Sequence, residues 1–87
     1  MIIKFKNKDI KDGSFVIPEW VTEISNYAFS RCWSLTNITV PDHVTEIGLG
    51  AFAGCSNLKK VSLPKKVKLG IEVFYGCHPD LEIVYRD

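Results

Sequence analysis

Hydrophobic residues recur along this chain with a spacing of 23 residues. Three columns keep that spacing: Pro18, Pro41 and Pro64; Val21, Val44 and Val67; Leu35, Leu58 and Leu81. Two more follow with spacings of 23 and then 22: Phe29, Phe52 and Phe74; Cys32, Cys55 and Cys77. Residues 15–37 and 38–60 are identical at nine of 23 positions, far above chance for average residue usage. The spacing predicts a repeat protein in which these Phe, Cys and Leu residues stack as structural ladders.

Alternating apolar and polar residues predict two short strands in each unit. Ile38-Thr39-Val40 and Val61-Ser62-Leu63 show the alternation of a half-buried strand, and Phe15-Val16-Ile17 occupies the same columns. A proline then ends each strand, because proline cannot donate a backbone hydrogen bond to the ladder. A second short extended segment follows at residues 21–24 and 44–47. Each coil is therefore predicted to have two strand-bearing faces.

A tight turn is predicted to close each coil. Apolar residues lie three and four apart in Ala28-Phe29-x-x-Cys32 and Ala51-Phe52-x-x-Cys55, the spacing of one helical or 3₁₀ turn. The third unit loses one residue after Val67 and regains one at Pro79. Its Lys68-Leu69-Gly70 replaces Thr-Glu-Ile, so this segment is expected to be irregular.

The chain is predicted to be one domain with two parts. Residues 1–13 do not follow the repeat and are predicted to form a lysine-rich hairpin or edge strand that caps the first coil. Residues 14–87 hold the repeats, with units at about 15–37, 38–60 and 61–83 and a partial unit at 84–87. A cap is expected because an open solenoid end exposes unpaired backbone and apolar side chains.

The repeated motif resembles a known family. Val-Thr-Glu-Ile-x-x-x-Ala-Phe-x-x-Cys-x-x-Leu-x-x-Ile-x-Val-Pro, at residues 21–41 and in similar form at 44–64, resembles the BspA-like leucine-rich repeats. The resemblance implies a β-rich α/β solenoid: a right-handed coil with short parallel strands on two faces and short 3₁₀ or helical turns. It also implies a recognition surface, commonly on bacterial or protozoan surface proteins that adhere to host matrix proteins or to other cells.

Composition places the chain among ordinary globular proteins. Of its 87 residues, 46% are hydrophobic and 24% are charged, and no apolar run approaches the length of a membrane span. Residues 1–6 lack the apolar region of a signal peptide. Localisation is therefore left open, with the family resemblance favouring a cell-surface or secreted protein if the chain is a fragment.

Few residues offer catalytic or metal-binding chemistry. The three cysteines are odd in number and lack Cys-x-x-Cys spacing, so free structural thiols are expected. His43 and His78 do not recur in their columns, and a Cys77–His78 nucleophile requires a spatial arrangement that sequence neighbours rarely have. We therefore predict no catalytic residues, no metal and no cofactor, and a module that is not an enzyme.

Function is expected where the repeating columns break. The outward strand positions are predicted to be Ser14, Val16, Asn37, Thr39, Lys60, Ser62, Ile83 and Tyr85. Trp20 and Trp33 lie in columns that are polar in the other units, and tryptophan is enriched among interface hot spots. The alternative is that either ring folds over the first coil as structural cover. The candidate partner-binding residues are thus Trp20, Trp33, Asn37, Thr39, Lys60, Ser62 and Tyr85.

Charge is arranged in bands. Residues 1–11 carry +3, residues 12–58 carry −4, residues 59–68 carry +5 and residues 69–87 carry −3, which sum to the net +1. A protein partner is favoured over nucleic acid, because the lysine cluster contains no arginine and the chain is nearly neutral. Attraction between the basic N-terminal and acidic C-terminal ends gives a second hypothesis, weak head-to-tail self-association.

Overall fold

The computed structural model describes residues 10–86, which form six short strands. They are β1 (Glu23–Ile24), β2 (Asn37–Thr39), β3 (Glu46–Ile47), β4 (Lys60–Pro64), β5 (Lys68–Leu69) and β6 (Glu82–Arg86). All pairing between them is parallel and produces two three-stranded sheets, ordered β1-β3-β5 and β2-β4-β6. Successive strands along the chain alternate between the sheets, so each repeat contributes one strand to each. The predicted solenoid-like stack of parallel coils is confirmed.

The strand register corrects the sequence prediction in the last unit. Asn37 pairs with Lys60 at a spacing of 23 residues, but Lys60 pairs with Glu82 at a spacing of 22. The extra residue at Pro79 restores the 23-residue spacing at Leu81. The spacing then returns to 22 at Glu82, the first residue of β6. Ile83 and Tyr85, predicted to face outward, instead lie in register with Val61 and Leu63, which are completely buried. The outward residues of β6 are Glu82 and Val84.

The segment expected to be irregular in the third unit is a regular strand. Lys68 pairs with Glu46, and Leu69 pairs with Ile47. The backbone hydrogen bonds of a parallel pair do not depend on side-chain identity, so β5 forms although Lys68 and Leu69 depart from the repeated Glu-Ile pair.

The predicted helical or 3₁₀ turns are not helices. Residues 10–86 contain no helical segment, and the connections are series of turns. Tyr27 and Arg31 have φ values of +59° and +61°, which a right-handed helix does not tolerate. Their equivalents in the next coil, Gly50 and Gly54, have φ values of +57° and +76°. Two left-handed positions four residues apart therefore interrupt each would-be helical turn.

Ladders of equivalent side chains form the core. The Phe29 and Phe52 rings stack with centroids 5.0 Å apart, and Phe52 stacks on Phe74 at 5.7 Å. Phe15 meets Phe29 edge to face at 5.7 Å. The Cys and Leu columns lie beside this stack, with members of the first two coils completely buried and Cys77 and Leu81 partly buried. No polar or charged residue among those described is buried, so apolar packing accounts for the cohesion of the coils.

The structure describes only the last part of the segment predicted to form an N-terminal cap. Lys11 and Ser14 form an isolated antiparallel bridge around a turn at Asp12 and Gly13. Residues 1–9 of the predicted cap lie outside the described residues. The segment at residues 15–17 is not one of the strands; its Ile17 is buried and its Val16 is 86% exposed.

Candidate functional site

The outward side chains of the β2-β4-β6 sheet form one continuous surface, the strand face. Parallel register gives it two rows: Asn37, Lys60 and Glu82; and Thr39, Ser62 and Val84. Ser62 and Val84 are half-buried and the other four are exposed. Four of the predicted partner-binding residues therefore share one surface: Asn37, Thr39, Lys60 and Ser62. Tyr85 does not share it, because it lies in the inward row of Leu63.

An apolar groove borders the strand face beyond β2. It has a volume of about 360 Å³ and lies between residues 14–17 and β2. Val16 lines it together with Asn37 and Thr39. The strand face thus combines polar rows with an exposed valine at one side, a mixture typical of protein-contact surfaces.

Arg86, at the end of β6, forms contacts across the strand face. Its guanidinium donates from Nη1 to Ser62 Oγ at 2.7 Å, and from Nη2 to the Val40 carbonyl oxygen. Nη2 also contacts Asp42 Oδ1 at 2.8 Å. The ion pair is partly solvent-exposed, so its contribution to stability is modest, but the contacts connect all three coils. Sequence reasoning missed Arg86 because the residue has no counterpart in the other units.

Both tryptophan rings are largely exposed. Trp20 is 56% exposed and Trp33 is 61% exposed. Trp20 lies in the turn closed by the hydrogen bond from Val21 N to the Pro18 oxygen. Trp33 is held by its backbone, since its carbonyl accepts a hydrogen bond of 2.8 Å from Asn57 Nδ2. The two rings belong to the same coil but to different connections, one before β1 and one before β2.

A second aromatic surface lies on the closing turns. A groove of about 270 Å³ is lined by Tyr27, Arg31 and Tyr75, with Gly54 and Gly76 among its lining residues. Tyr27 is 51% exposed and Tyr75 is 70% exposed. Glycine in this column leaves room between the rings, because no side chain projects from it. Sequence reasoning missed this groove, although the Arg31-Gly54-Gly76 column was visible as a break in the repeat.

The cysteines and histidines do not form a catalytic arrangement. Cys77 Sγ donates to the Phe52 carbonyl at 3.1 Å, whereas His78 Nδ1 accepts from the Asp80 backbone nitrogen at 3.0 Å. The two side chains are therefore directed to different partners. Burial raises the pKa of Cys77 and raises that of Cys55 to about 12, which disfavours the thiolate that nucleophilic or metal chemistry requires.

The lysine cluster is distributed around the third coil. Lys60 lies on the strand face, and Lys68 lies in β5 of the other sheet. Lys65 and Lys66 line a groove of about 360 Å³ with Asp42 and Arg86. The structure therefore divides the lysines between different surfaces, rather than aligning them in one basic stripe.

Two further features are absent from the part of the chain that the structure describes. Residues 10–86 contain no group of three or more His, Cys, Asp or Glu side chains placed to hold a metal ion. Over the same residues, no helix is long and apolar enough to span a membrane.

The fold and its surfaces define a solenoid-like repeat protein with stacked apolar ladders and exposed, mixed faces. A family model described as the BspA type leucine rich repeat region matches residues 4–85 in six copies. The chain therefore belongs to the BspA-type leucine-rich repeat family, as its motif indicated. Leucine-rich repeats in general serve as protein-interaction modules and not as enzymes. No curated protein and no solved structure matches this chain.

Proposed function

We propose that this chain is a non-catalytic module that binds a protein partner through its first coil and the adjacent strand face. The observation that carries the proposal is the exposure of Trp20 and Trp33, each more than half open to solvent in columns that are polar in the other units. Large aromatic side chains on a rigid scaffold provide contact area at low entropic cost. Their exposure argues against the alternative that these rings serve as cover for the core.

Two further features support a protein partner. Asn37, Thr39, Lys60 and Ser62 form polar rows beside the exposed Val16, as expected for the rim of a protein interface. The lysines are divided between surfaces, which argues against a continuous nucleic-acid track. A role in cell adhesion, as part of or related to a surface adhesin, fits the BspA-type family and is proposed as the setting of this binding.

We also propose right-handed winding of the coils, the hand expected for connections between parallel strands.

The proposal is tested by replacing the tryptophans. The Trp20→Ala and Trp33→Ala variants should keep cooperative unfolding close to that of the wild-type chain, because over half of each residue is exposed. In affinity purification with the immobilised chain as bait, a partner retained by the wild-type chain should be lost from the double variant. Tyr75→Ala is the matched control, since Tyr75 is 70% exposed but lies on the third coil.

Two results would contradict the assignment of the partner-binding site to Trp20 and Trp33. One is a large fall in the unfolding temperature of both single variants, which would make the rings structural. The other is equal partner retention by the wild-type chain and the double variant.

A structural or assembly unit is the second candidate. The last coil exposes the apolar residues Leu69, Ile71, Ile83 and Tyr85. The residues that pair with Leu69, Ile83 and Tyr85 in the second coil are buried. Head-to-tail association between basic and acidic ends would give a mass above the monomer at low salt that decreases as salt is added. A monomer at every salt concentration would exclude it.

A further inference from the structure

Strand β6 is an edge strand with all the requirements for pairing. Among the described residues it has a neighbour, β4, on one side only. Glu82 N donates to the Lys59 oxygen at 2.8 Å, and backbone groups alternate in direction along a strand. Val84 and Arg86 therefore also direct their backbone groups towards β4, whereas Ile83 and Tyr85 direct theirs towards the open edge. Strand β6 contains no lysine or proline, and its charged residues, Glu82 and Arg86, stand at its two ends, so the central Ile83, Val84 and Tyr85 lack the charges that often protect such edges.

The side chains beside this edge are apolar and unusually exposed. Ile83 and Tyr85 lie in register with the buried Val61 and Leu63, yet they are 38% and 52% exposed. Leu69, the corresponding inward residue of the other sheet, is 39% exposed. Among the described residues, the core is therefore uncovered at the β6 end of the stack.

The other end of the stack is different. In the first coil, Val21, Phe29 and Leu35 are all completely buried. The apolar core residues of the first coil are therefore less exposed than those of the last coil. Exposed apolar side chains of two molecules come together when their C-terminal ends face each other.

The sequence of β6 is self-complementary about its centre. If two copies of Glu82-Ile83-Val84-Tyr85-Arg86 run antiparallel with Val84 opposite Val84, each Glu82 lies opposite an Arg86 and each Ile83 lies opposite a Tyr85. The same register pairs the edge-directed backbone groups of Ile83 with those of Tyr85, so both strands satisfy their hydrogen bonds. A parallel arrangement would instead place Glu82 beside Glu82, with no charge compensation.

We propose that the chain forms a two-fold symmetric dimer through β6, in which the two strands pair antiparallel about Val84. The partner is a second copy of this chain. Pairing joins the two β2-β4-β6 sheets and covers Ile83 and Tyr85 of both copies. This inference goes beyond the proposed partner-binding function and does not rest on it, because neither tryptophan takes part.

Arg86 is held by contacts within its own chain. Three of its contacts fix the guanidinium: Ser62 Oγ, the Val40 oxygen and Asp42 Oδ1. These partners lie on β4 and just after β2, on the side of β6 away from the open edge. The interface therefore relies on backbone pairing and on covering Ile83 and Tyr85, and not on a preformed contact between Arg86 and Glu82 of the second copy.

Sedimentation velocity on the full 87-residue chain tests the proposal. The mass should rise with concentration from that of one chain to that of two and stop there, because an isologous interface closes on itself. Growth beyond two chains would indicate a head-to-tail arrangement and overturn the proposal. A monomer at every concentration that remains soluble would also overturn it.

Two charge variants test the register. In the proposed register, Val84 of one copy lies opposite Val84 of the other. Val84→Glu and Val84→Lys should therefore each weaken the dimer by about a hundredfold, because two like charges come into contact. An equal mixture should restore a heterodimer, identified by native mass spectrometry, to within about tenfold of the wild-type affinity. Thr39→Glu is the matched control, because Thr39 is in the same outward row as Val84 but on the far strand, and it should leave the dimer unchanged.

Ile83→Lys provides a second, independent variant. Lysine at this exposed position should leave the monomer folded, as checked by circular dichroism, and should weaken the dimer at least about tenfold. Dimerisation unaffected by all three β6 variants would place the interface elsewhere and overturn the proposal. Failure of the heterodimer to form from the folded Val84 variants would overturn the register.

Discussion

At the residue scale, the cysteine column shows why a chemically reactive residue serves as packing here. Cys55 is completely buried, and its thiol donates to the Phe29 carbonyl oxygen at 3.0 Å. Cys77 repeats the contact one coil later with the Phe52 carbonyl. A small side chain with one weak donor fits between stacked turns, and it satisfies a carbonyl oxygen of the neighbouring coil. This geometry accounts for the packing of Cys55 and Cys77 between the stacked turns.

Burial of Cys55 predicts a specific loss of stability at alkaline pH. The pKa of this thiol is raised by burial from 9.0 to about 12. The unfolded chain therefore releases the proton at lower pH than the folded chain. The stabilisation is complete below pH 9 and is lost as pH rises towards 12, with a loss of about 2 kcal/mol by about pH 10.5.

Denaturant titrations of the wild-type chain and Cys55→Ala under reducing conditions measure this effect. The wild-type chain should be more stable at neutral pH, because alanine leaves a cavity, and its advantage should narrow above pH 9. Other titrating groups are common to both chains and cancel in the difference. A difference in unfolding free energy that stays constant up to about pH 10.5 would contradict the prediction.

At the element scale, the closing turns depend on backbone conformations that few residues tolerate. Gly50 has φ +57°, and a Cβ there would lie 2.6 Å from Cε1 of Tyr27. Gly76 has φ +73°, but its added Cβ would meet nothing closer than 3.6 Å. We expect Gly76→Ala to cost about 1–2 kcal/mol through backbone strain alone. Gly50→Ala should cost about 1 kcal/mol more, because the Tyr27 ring must leave its place.

A double-mutant cycle separates the two costs at Gly50. In a Tyr27→Ala background, the cost of Gly50→Ala should fall to that of Gly76→Ala, because only the left-handed backbone remains to be strained. Chemical denaturation of the four chains gives the coupling energy directly. Equal costs of Gly50→Ala with and without the Tyr27 ring would show that the ring does not restrict this turn.

The elements also show where sequence reasoning succeeds and where it stops. Columns such as Phe29 and Phe52 identify the repeat because a stacked core imposes the same residue on each coil. The backbone conformation of Tyr27 and Arg31 was not predicted, since apolar spacing alone fits a helical turn equally well. The register of β6 was also missed, because one residue less before Glu82 moves every following side chain to the opposite face.

The candidate surfaces were predictable to a similar degree. Breaks in the columns singled out Trp20 and Trp33, but their exposure could be established only from the structure, and their role in binding stays a prediction. Arg86 was not identified, because its partners Val40 and Asp42 are more than 40 residues away and no pattern links them. Contacts that connect unlike positions of different coils leave no periodic signal in a sequence.

At the scale of the whole molecule, the two ends of the stack differ. Core residues of the first two coils are nearly all completely buried, whereas Leu69, Ile83 and Tyr85 of the last coil are exposed by more than a third. Every coil depends on its neighbours for burial of its apolar side chains, so a coil covered on one side gains less from packing. Local stability should therefore decrease along the stack towards β6.

Hydrogen exchange on a sample too dilute for the proposed dimer to form measures this gradient with matched hydrogen bonds. Gly48 N donates to the Ile24 oxygen at 2.8 Å, and its equivalent one coil later, Gly70 N, donates to the Ile47 oxygen at 2.7 Å. Because the two bonds are alike in geometry, a difference in exchange reports the opening of the last coil. After correction for intrinsic rates, Gly70 should exchange at least about tenfold faster than Gly48.

The same comparison applies to the other sheet, where Lys59 N donates to the Thr36 oxygen and Glu82 N donates to the Lys59 oxygen, both at 2.8 Å. Glu82 should exchange faster than Lys59 in the dilute sample, because the last coil opens without unfolding the first two. The unequal rates should converge in strong denaturant, where exchange proceeds through global unfolding. Equal protection of both pairs under native conditions would mean that the exposed end is as stable as the buried coils, and that the molecule opens only as a whole.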